Sequence, residues 1–315
     1  MCLKRKKWCL SFLALLMSFM MLAAGCGGKG TASDGGAKQQ ADSNVTIKML
    51  DVGQGDAILI RTPEQTVLID TSDVDEKQKL SAALKDEKVK VIDKLIITHP
   101  HADHLGGMSV VFNECEVKAV YDNGQAATTK LYRDYLKTIK SKGIQYKALR
   151  DGDRIDFGGG AVFEVLSPTE DMVKEGGHDE KGKINLNLNS VVGRLVYGEF
   201  SMMFTGDAET ESEKGIMKRH APKELKSTIL KSGHHGSKTS SGPKFLRAVQ
   251  PEAALISCGK GNEYHHPHPS TRNKYTKYKI DFYRTDVNGM ITVETDGHYY
   301  TITTERGTKN DDTGN

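Results

Sequence analysis

Short apolar runs ending on glycine, aspartate or histidine punctuate this chain, and between them lie stretches whose apolar positions recur three and four residues apart. The first signature belongs to buried strands, the second to helices with one buried face. Residues 45–60 and 66–69 predict an opening β-hairpin with a Gly-rich turn between Asp51 and Asp56, closing on Leu68-Ile69-Asp70. Leu80, Ala83 and Leu84 share one helical face within 76–88, and 131–139 repeats that spacing more clearly. Runs at 91–98, 117–121, 161–166, 190–197, 201–205, 227–230, 253–257 and 289–294 predict further strands. Strands alternating with helices, together with hairpins, predict a layered α/β protein with mixed sheets. Residues 158–160 and 174–183 read as turns or a mobile loop, and no internal repeat is visible.

The start of the chain changes the picture. Lys4, Arg5, Lys6 and Lys7 precede an apolar stretch from Trp8 to Ala24, the pattern of a secretory signal. Leu22-Ala23-Ala24-Gly25-Cys26 closes it and resembles a bacterial lipobox, in which Cys26 is lipidated and becomes the new amino terminus. An uncleaved anchor and plain secretion are the alternatives, and all three place the rest of the chain outside the cytoplasm. The expected organisation is a signal peptide over 1–26, a polar flexible linker over 27–44, a folded domain over 45–304 and a disordered tail over 305–315. No later run approaches the length of a membrane span, which excludes a channel or transporter. The cysteines outside the signal and lipobox are Cys115 and Cys258, whose pairing spacing cannot decide.

The formal net charge is +3, from 44 basic and 41 acidic residues, but four of the basic ones lie in the signal. Without them the balance is about −1, so a general attraction to nucleic acid is absent and any such substrate must be held locally. The best local basic stretch, Arg272 to Lys279, reads as a solvated helix face.

Eight of the eleven histidines fall in three short stretches, 99–104, 234–235 and 265–268, and that density needs an explanation. Directly after the strand-like run 95–98 stands His99-Pro-His-Ala-Asp-His104, three imidazoles and a carboxylate in six positions. His99 and His101 can point the same way and hold one ion, while Asp103 and His104 turn toward a second. Neutral imidazole and carboxylate suit Zn²⁺ best, with Mn²⁺ and Fe²⁺ as alternatives. The same device, a strand ending on a metal-binding group, recurs at Thr205-Gly-Asp207 and at Gly233-His-His-Gly236.

Taken in order, Leu68-Ile69-Asp70, His99-Pro-His-Ala-Asp-His104, Thr205-Gly-Asp207 and Gly233-His-His-Gly236 resemble the metallo-β-lactamase superfamily over nearly all of the chain beyond the signal. More narrowly, Asp51-Val-Gly-Gln-Gly-Asp56, Leu105-Gly-Gly107, Asn189-Ser-Val-Val192, His234-His-Gly-Ser237 and Asn262-Glu-Tyr-His-His-Pro267 resemble the extracellular hydrolase domain of ComEC competence proteins. The resemblance implies a four-layer αβ/βα sandwich with two divalent ions, Zn or Mn, at one edge. His99 and His101 would hold the first ion, Asp103 and His104 the second, and Asp207 would bridge them. Asp70 would orient ligands from behind, one of His234 and His235 would complete the second ion's set, and His266 would reach over the open side. The superfamily's further histidine before the bridging aspartate has no counterpart here. Only His178 lies between His104 and Asp207, in a polar loop, and Asn189 falls near the position.

Two adjacent cations suit in-line attack on a phosphodiester. Lys231 as point charge, Ser237 as hydrogen-bond donor and His266 as acid are the candidates to assist, and for Lys231 and Ser237 a strand-end charge and a helix cap are even alternatives. The expected activity is hydrolysis of DNA or another phosphodiester at the outer face of the membrane, through a lipid anchor on Cys26. A phosphorylcholine esterase acting on wall polymers and a non-catalytic polymer-binding surface protein are the rivals, and a β-lactamase fits the narrower motifs less well.

Overall fold

A computed structural model describes residues 44–179 and 181–312. The signal, Cys26, the linker before residue 44 and the last three residues of the expected tail lie outside the described residues. Fifteen strands among the described residues form two mixed sheets. The first runs β15-β14-β1-β2-β3-β4-β5-β6, with β1 (Val45–Met49), β2 (Ile58–Arg61), β3 (Thr66–Ile69), β4 (Val91–Ile97), β5 (Glu116–Asp122), β6 (Gln145–Ala148), β14 (Ile291–Thr295) and β15 (Tyr300–Thr304). The second runs β13-β12-β11-β10-β9-β8-β7, with β7 (Arg154–Asp156), β8 (Val162–Ser167), β9 (Val192–Tyr197), β10 (Phe200–Phe204), β11 (Ile229–Lys231), β12 (Ala253–Ile256) and β13 (Asp281–Arg284).

The central strands read as unbroken apolar runs because both of their faces are covered. In β4, Ile96 joins a cluster with Ile47, Ile69, Phe163, Met202 and Phe204 that fills the space between the sheets. Its neighbours Leu95 and Ile97 turn the other way, toward α1 (Lys77–Asp86), α3 (Met108–Glu114) and α4 (Lys130–Lys142), where Leu80, Leu84, Phe112 and Tyr135 are buried. Met203, Leu230 and Ala254 pack outward from the second sheet against Ile216, Leu225, Phe245, Leu246 and Tyr275. Those five sit on α6 (Thr210–Arg219), α7 (Pro222–Leu225), α8 (Pro243–Val249) and α9 (Pro269–Tyr278). Helices, sheet, sheet and helices in that order make the expected four-layer αβ/βα sandwich. The short α2 (Ala102–Leu105), α5 (Glu170–Lys174) and α10 (Thr285–Asn288) lie in the connections.

Two expectations need correction. Residues 305–312 do not trail away as a disordered tail: Arg306 pairs with Asp51, Asn310 bonds Phe282 and Asp281, and Asp312 pairs with Arg272. The 272–279 stretch is more than a solvated helix face. Tyr275 is buried and its hydroxyl meets Ser232 and Ser241, while Lys274 reaches the Ser240 carbonyl and Arg272 the Pro267 carbonyl. Cys115 and Cys258 are both free buried thiols in separate clusters.

Topology then places the chemistry. β3, β4 and β5 are mutually parallel, as are β10, β11 and β12, so within each set the carboxyl ends share one edge. Asp70, His99, Asp207 and His235 all follow such ends.

Candidate metal centre

Each site residue is delivered by a strand end and held from behind. Asp70, in the left-handed region at φ 60°, accepts from the Thr98 amide at 2.7 Å and the Thr98 hydroxyl at 2.8 Å. Its Oδ2 also meets His104 Nδ1 at 2.7 Å, which turns His104 Nε2 forward. α2 carries Asp103 and His104 side by side, and Gly106 and Gly107 let its end press on the strand-end loop. A β-carbon on Gly107 would stand 2.0 Å from the Thr71 carbonyl oxygen. From the second sheet come Asp207, after β10, and the consecutive His234 and His235, both left-handed at φ 48° and 52°. His235 Nδ1 donates to the Ser257 carbonyl at 3.0 Å, so its Nε2 also faces inward.

Asp103, His104, Asp207 and His235 thereby converge on one point. His104 Nε2 lies 3.2 Å from Asp207 Oδ1, and His235 Nε2 lies 3.2 Å from Asp103 Oδ2 and 3.6 Å from Asp207 Oδ1. The Nε2 atoms of His104 and His235 and Oδ1 of Asp207 are buried and make no hydrogen bond. Buried polar atoms turned on one another in this way are a donor set suited to a divalent cation, here two imidazole nitrogens and two carboxylates. His99, His101 and Asp103 make a second grouping, with His99 Nε2 and His101 Nδ1 3.0 Å apart. Asp103 is the member common to both groupings, whereas Asp207, expected to bridge, joins only the four-residue set.

The charges agree with that reading. Burial pulls the His104 imidazole down, yet Asp207, Asp70 and Asp103 outweigh it and hold its pKa well above the ordinary value. Against the same burial, Asp207 and Asp56 raise His235. Burial drives His99 and His101 the other way, toward the neutral form that ligates. Opposing their own burial, the imidazoles hold Asp207 and Asp103 far below the usual carboxylate range, with His104 the foremost in each case. The clustered carboxylates thereby favour the protonated forms of His104 and His235, a positive charge that a divalent ion can replace.

Not every expected residue stands at the centre. His234 is left out of the four-residue set: its Nδ1 faces Glu209 at 3.2 Å and its Nε2 lies 3.6 Å from Asp207 Oδ2, on the more open side. His266 is buried, its ring 5.5 Å from that of His234 and 6.1 Å from that of His235, and burial with the neighbouring imidazoles holds it down at about 3. An imidazole so held is neutral near pH 7, which does not suit the acid role expected of it. Lys231 is no surface point charge. It is buried, its ammonium is 2.5 Å from Asp56 and it donates to the Gly206 carbonyl. The Ser237 hydroxyl is engaged with Thr239, and exposed His178 bonds the Glu175 carbonyl. The Asn189 amide is spent on Gln125 and on the Met172 carbonyl, so it tethers two loops.

Sequence reasoning missed Asp56 as a site residue, although its motif was visible. Its carboxylate is buried between Lys231, His235 at 3.5 Å and His104 at 3.8 Å, and its amide donates to the Asp103 carbonyl. A carboxylate closing a Gly-rich turn was the available signal.

A model of the metallo-beta-lactamase superfamily matches residues 50–260. Among curated proteins the chain is similar to ComE operon protein 3 of Bacillus subtilis (strain 168), at 31% identity over 263 residues, 78% of this chain and 32% of that protein. It is also similar to competence protein ComA of Neisseria gonorrhoeae, at 30% identity over 251 residues, 79% of this chain and 32% of that one. This chain therefore spans about a third of the length of these curated relatives. Among solved structures, Tm1679, a metal-dependent hydrolase of the beta-lactamase superfamily, shares the fold with a TM-score of 0.51 at 14% identity, over 76% of this chain and 95% of that one.

Proposed function

This chain belongs to the metallo-beta-lactamase superfamily of hydrolases, and from that premise we propose that it is a metal-dependent phosphodiesterase, with DNA as its substrate, tethered outside the cell by a lipid on Cys26. The observation that carries the hydrolytic part is the convergence of Asp103, His104, Asp207 and His235 from both sheets, with buried donor atoms turned on one point. DNA is supported by the likeness to competence protein ComA and to recombination protein 2 of Haemophilus influenzae, 29% identical over 261 residues.

When bound, divalent cations supply positive charge that acidifies a water and stabilises an anionic phosphoryl oxygen. The chain's own residues prepare for this. Asp70 and the Ser257 carbonyl hold the Nδ1 protons of His104 and His235, which leaves both Nε2 atoms as donors. Asp56 and Lys231 lock the Gly-rich turn against the second sheet, and His234, steadied by Glu209, borders the open side next to Asp207. Asp103 contributes to both groupings, so its loss should empty the centre.

Release of nucleotides from single- and double-stranded DNA, and of p-nitrophenol from bis(p-nitrophenyl) phosphate, with Mn²⁺ or Zn²⁺ added, tests the reading. Turnover that disappears together with bound metal, by elemental analysis, in Asp103→Ala supports it. Absence of turnover under either metal leaves the binding-protein alternative. The near-neutral charge outside the signal favours one second reading, a small diester on a wall polymer, and cleavage of the small diester alone would select it. Cys26→Ser should abolish incorporation of labelled fatty acid into the protein.

A further inference from the structure

Asn262 clamps the loop that carries Tyr264. Its amide donates to the Gly259 and His266 carbonyls at 2.8 and 2.6 Å, and its carbonyl oxygen accepts from the His266 amide at 2.9 Å. So held, Tyr264 is 54% exposed. Its other neighbour is ordered: the Tyr264 and His266 rings stack at 5.7 Å with 25° between their planes, and His266 stacks on the ligand His235 at 6.1 Å and 23°. His235, His266 and Tyr264 thus form a stepwise ring contact leading from the candidate metal centre to an exposed ring. Through His266, whose ring also lies 5.5 Å from that of His234, Tyr264 is linked to the more open side of the centre.

We propose that Tyr264 is a stacking platform for a planar heteroaromatic ring, a nucleobase flanking the diester at the metal centre. The inference rests on the phosphodiesterase reading and names the substrate class for it. A base buries the exposed ring without demanding particular hydrogen bonds, so the subsite is tolerant of sequence and favours unpaired strands, whose bases can splay. A quaternary ammonium calls instead for a cage of several aromatic faces. Among the described residues, the ring stacked with Tyr264 is that of His266, which leaves one flat face.

The chain's single tryptophan is Trp8, so the full-length protein carrying Trp8→Phe and Tyr264→Trp has its sole indole at the platform. Phosphorothioate octathymidylate should quench its emission, and the abasic oligomer of equal length should not. With ordinary oligomers, Tyr264→Ala should raise KM for octathymidylate about tenfold with kcat within twofold, Tyr264→Phe should stay within twofold, and abasic cleavage should be unaffected by either. Equal quenching and equal KM with and without bases overturn the platform, as does displacement of a bound oligomer by choline but not by thymidine. Base-dependent quenching without turnover of any diester supports the platform and overturns the phosphodiesterase reading. Diester turnover blind to bases does the reverse.

Discussion

Lys231 and Asp56 show how much a single pair can carry at this centre. Both are buried, 2.5 Å apart, so loss of one partner leaves the other uncompensated, at a cost of about 3 kcal/mol or more. Lys231→Met should lower the melting temperature clearly. The double variant Asp56→Asn, Lys231→Met should recover most of that loss, which a double-mutant cycle by thermal denaturation would measure. An additive cycle would show that the two do not act as a pair. The left-handed histidines make a second residue-scale point. Non-glycine residues in that region cost on the order of 1 kcal/mol each and cluster where function demands them. His234→Gly should therefore match or exceed the thermal stability of the parent while hydrolysis falls at least tenfold.

At the scale of elements, the interface between α2 and the loop after β3 is set by backbone approach. Gly107→Ala would force a β-carbon onto the Thr71 carbonyl, and a destabilisation of about 1–3 kcal/mol is expected, with weaker metal binding because α2 carries Asp103 and His104. Equilibrium unfolding and metal titration of the same variant check both effects. On the far side, Glu213 of α6 accepts from the Ser241 and Gly242 amides at the start of α8, and burial pushes its carboxyl up to about 7. Its folded value lies above the unfolded one, so the fold holds the extra proton between about 4.5 and 7. The stability contributed is full below that window and is lost as pH rises through 7. The stability advantage of the parent over Glu213→Gln should shrink between pH 5 and pH 8 by up to about 3 kcal/mol, and a constant difference would refute it. Legibility also follows the elements. The strands that apolar runs revealed are interior, as Ile58-Leu59-Ile60 and Leu95-Ile96-Ile97 illustrate. The four that left no such run, β6, β7, β13 and β15, are the four sheet edges. An edge needs no continuous apolar stretch: Gln145–Ala148 is largely exposed, and no residue of Tyr300–Thr304 is buried.

Across the whole described domain, the candidate metal centre draws on both sheets, since Asp103 and His104 follow β4 of one and Asp207 and His235 follow β10 and β11 of the other. Ligation should staple them. Zn²⁺ or Mn²⁺ at about a hundred times its dissociation constant should stabilise the fold by about 2.7 kcal/mol, and a chelator should reverse the shift. Because carboxylates raise His104 and His235 against their burial, ligation competes with protons for both rings. Affinity should weaken as pH falls, and titration calorimetry in buffers of different ionisation enthalpy should register proton release at pH 7.

The sequence by itself determined the layered fold and which residue types gather at the strand ends, because buried central strands must be continuously apolar and because imidazole and carboxylate clustered there have few other uses than ligation. Tertiary structure decided which atoms meet. The choice of His235 over His234 rests on which ring the Ser257 carbonyl holds inward, and two adjacent histidines look alike in a sequence. The removal of Lys231 from the open side depends on Asp56, distant along the chain, and that pairing exists only once β11 and the Gly-rich turn lie together. The platform at Tyr264 depends in the same way on loop closure by Asn262, for spacing cannot say whether a ring will be buried or left wet.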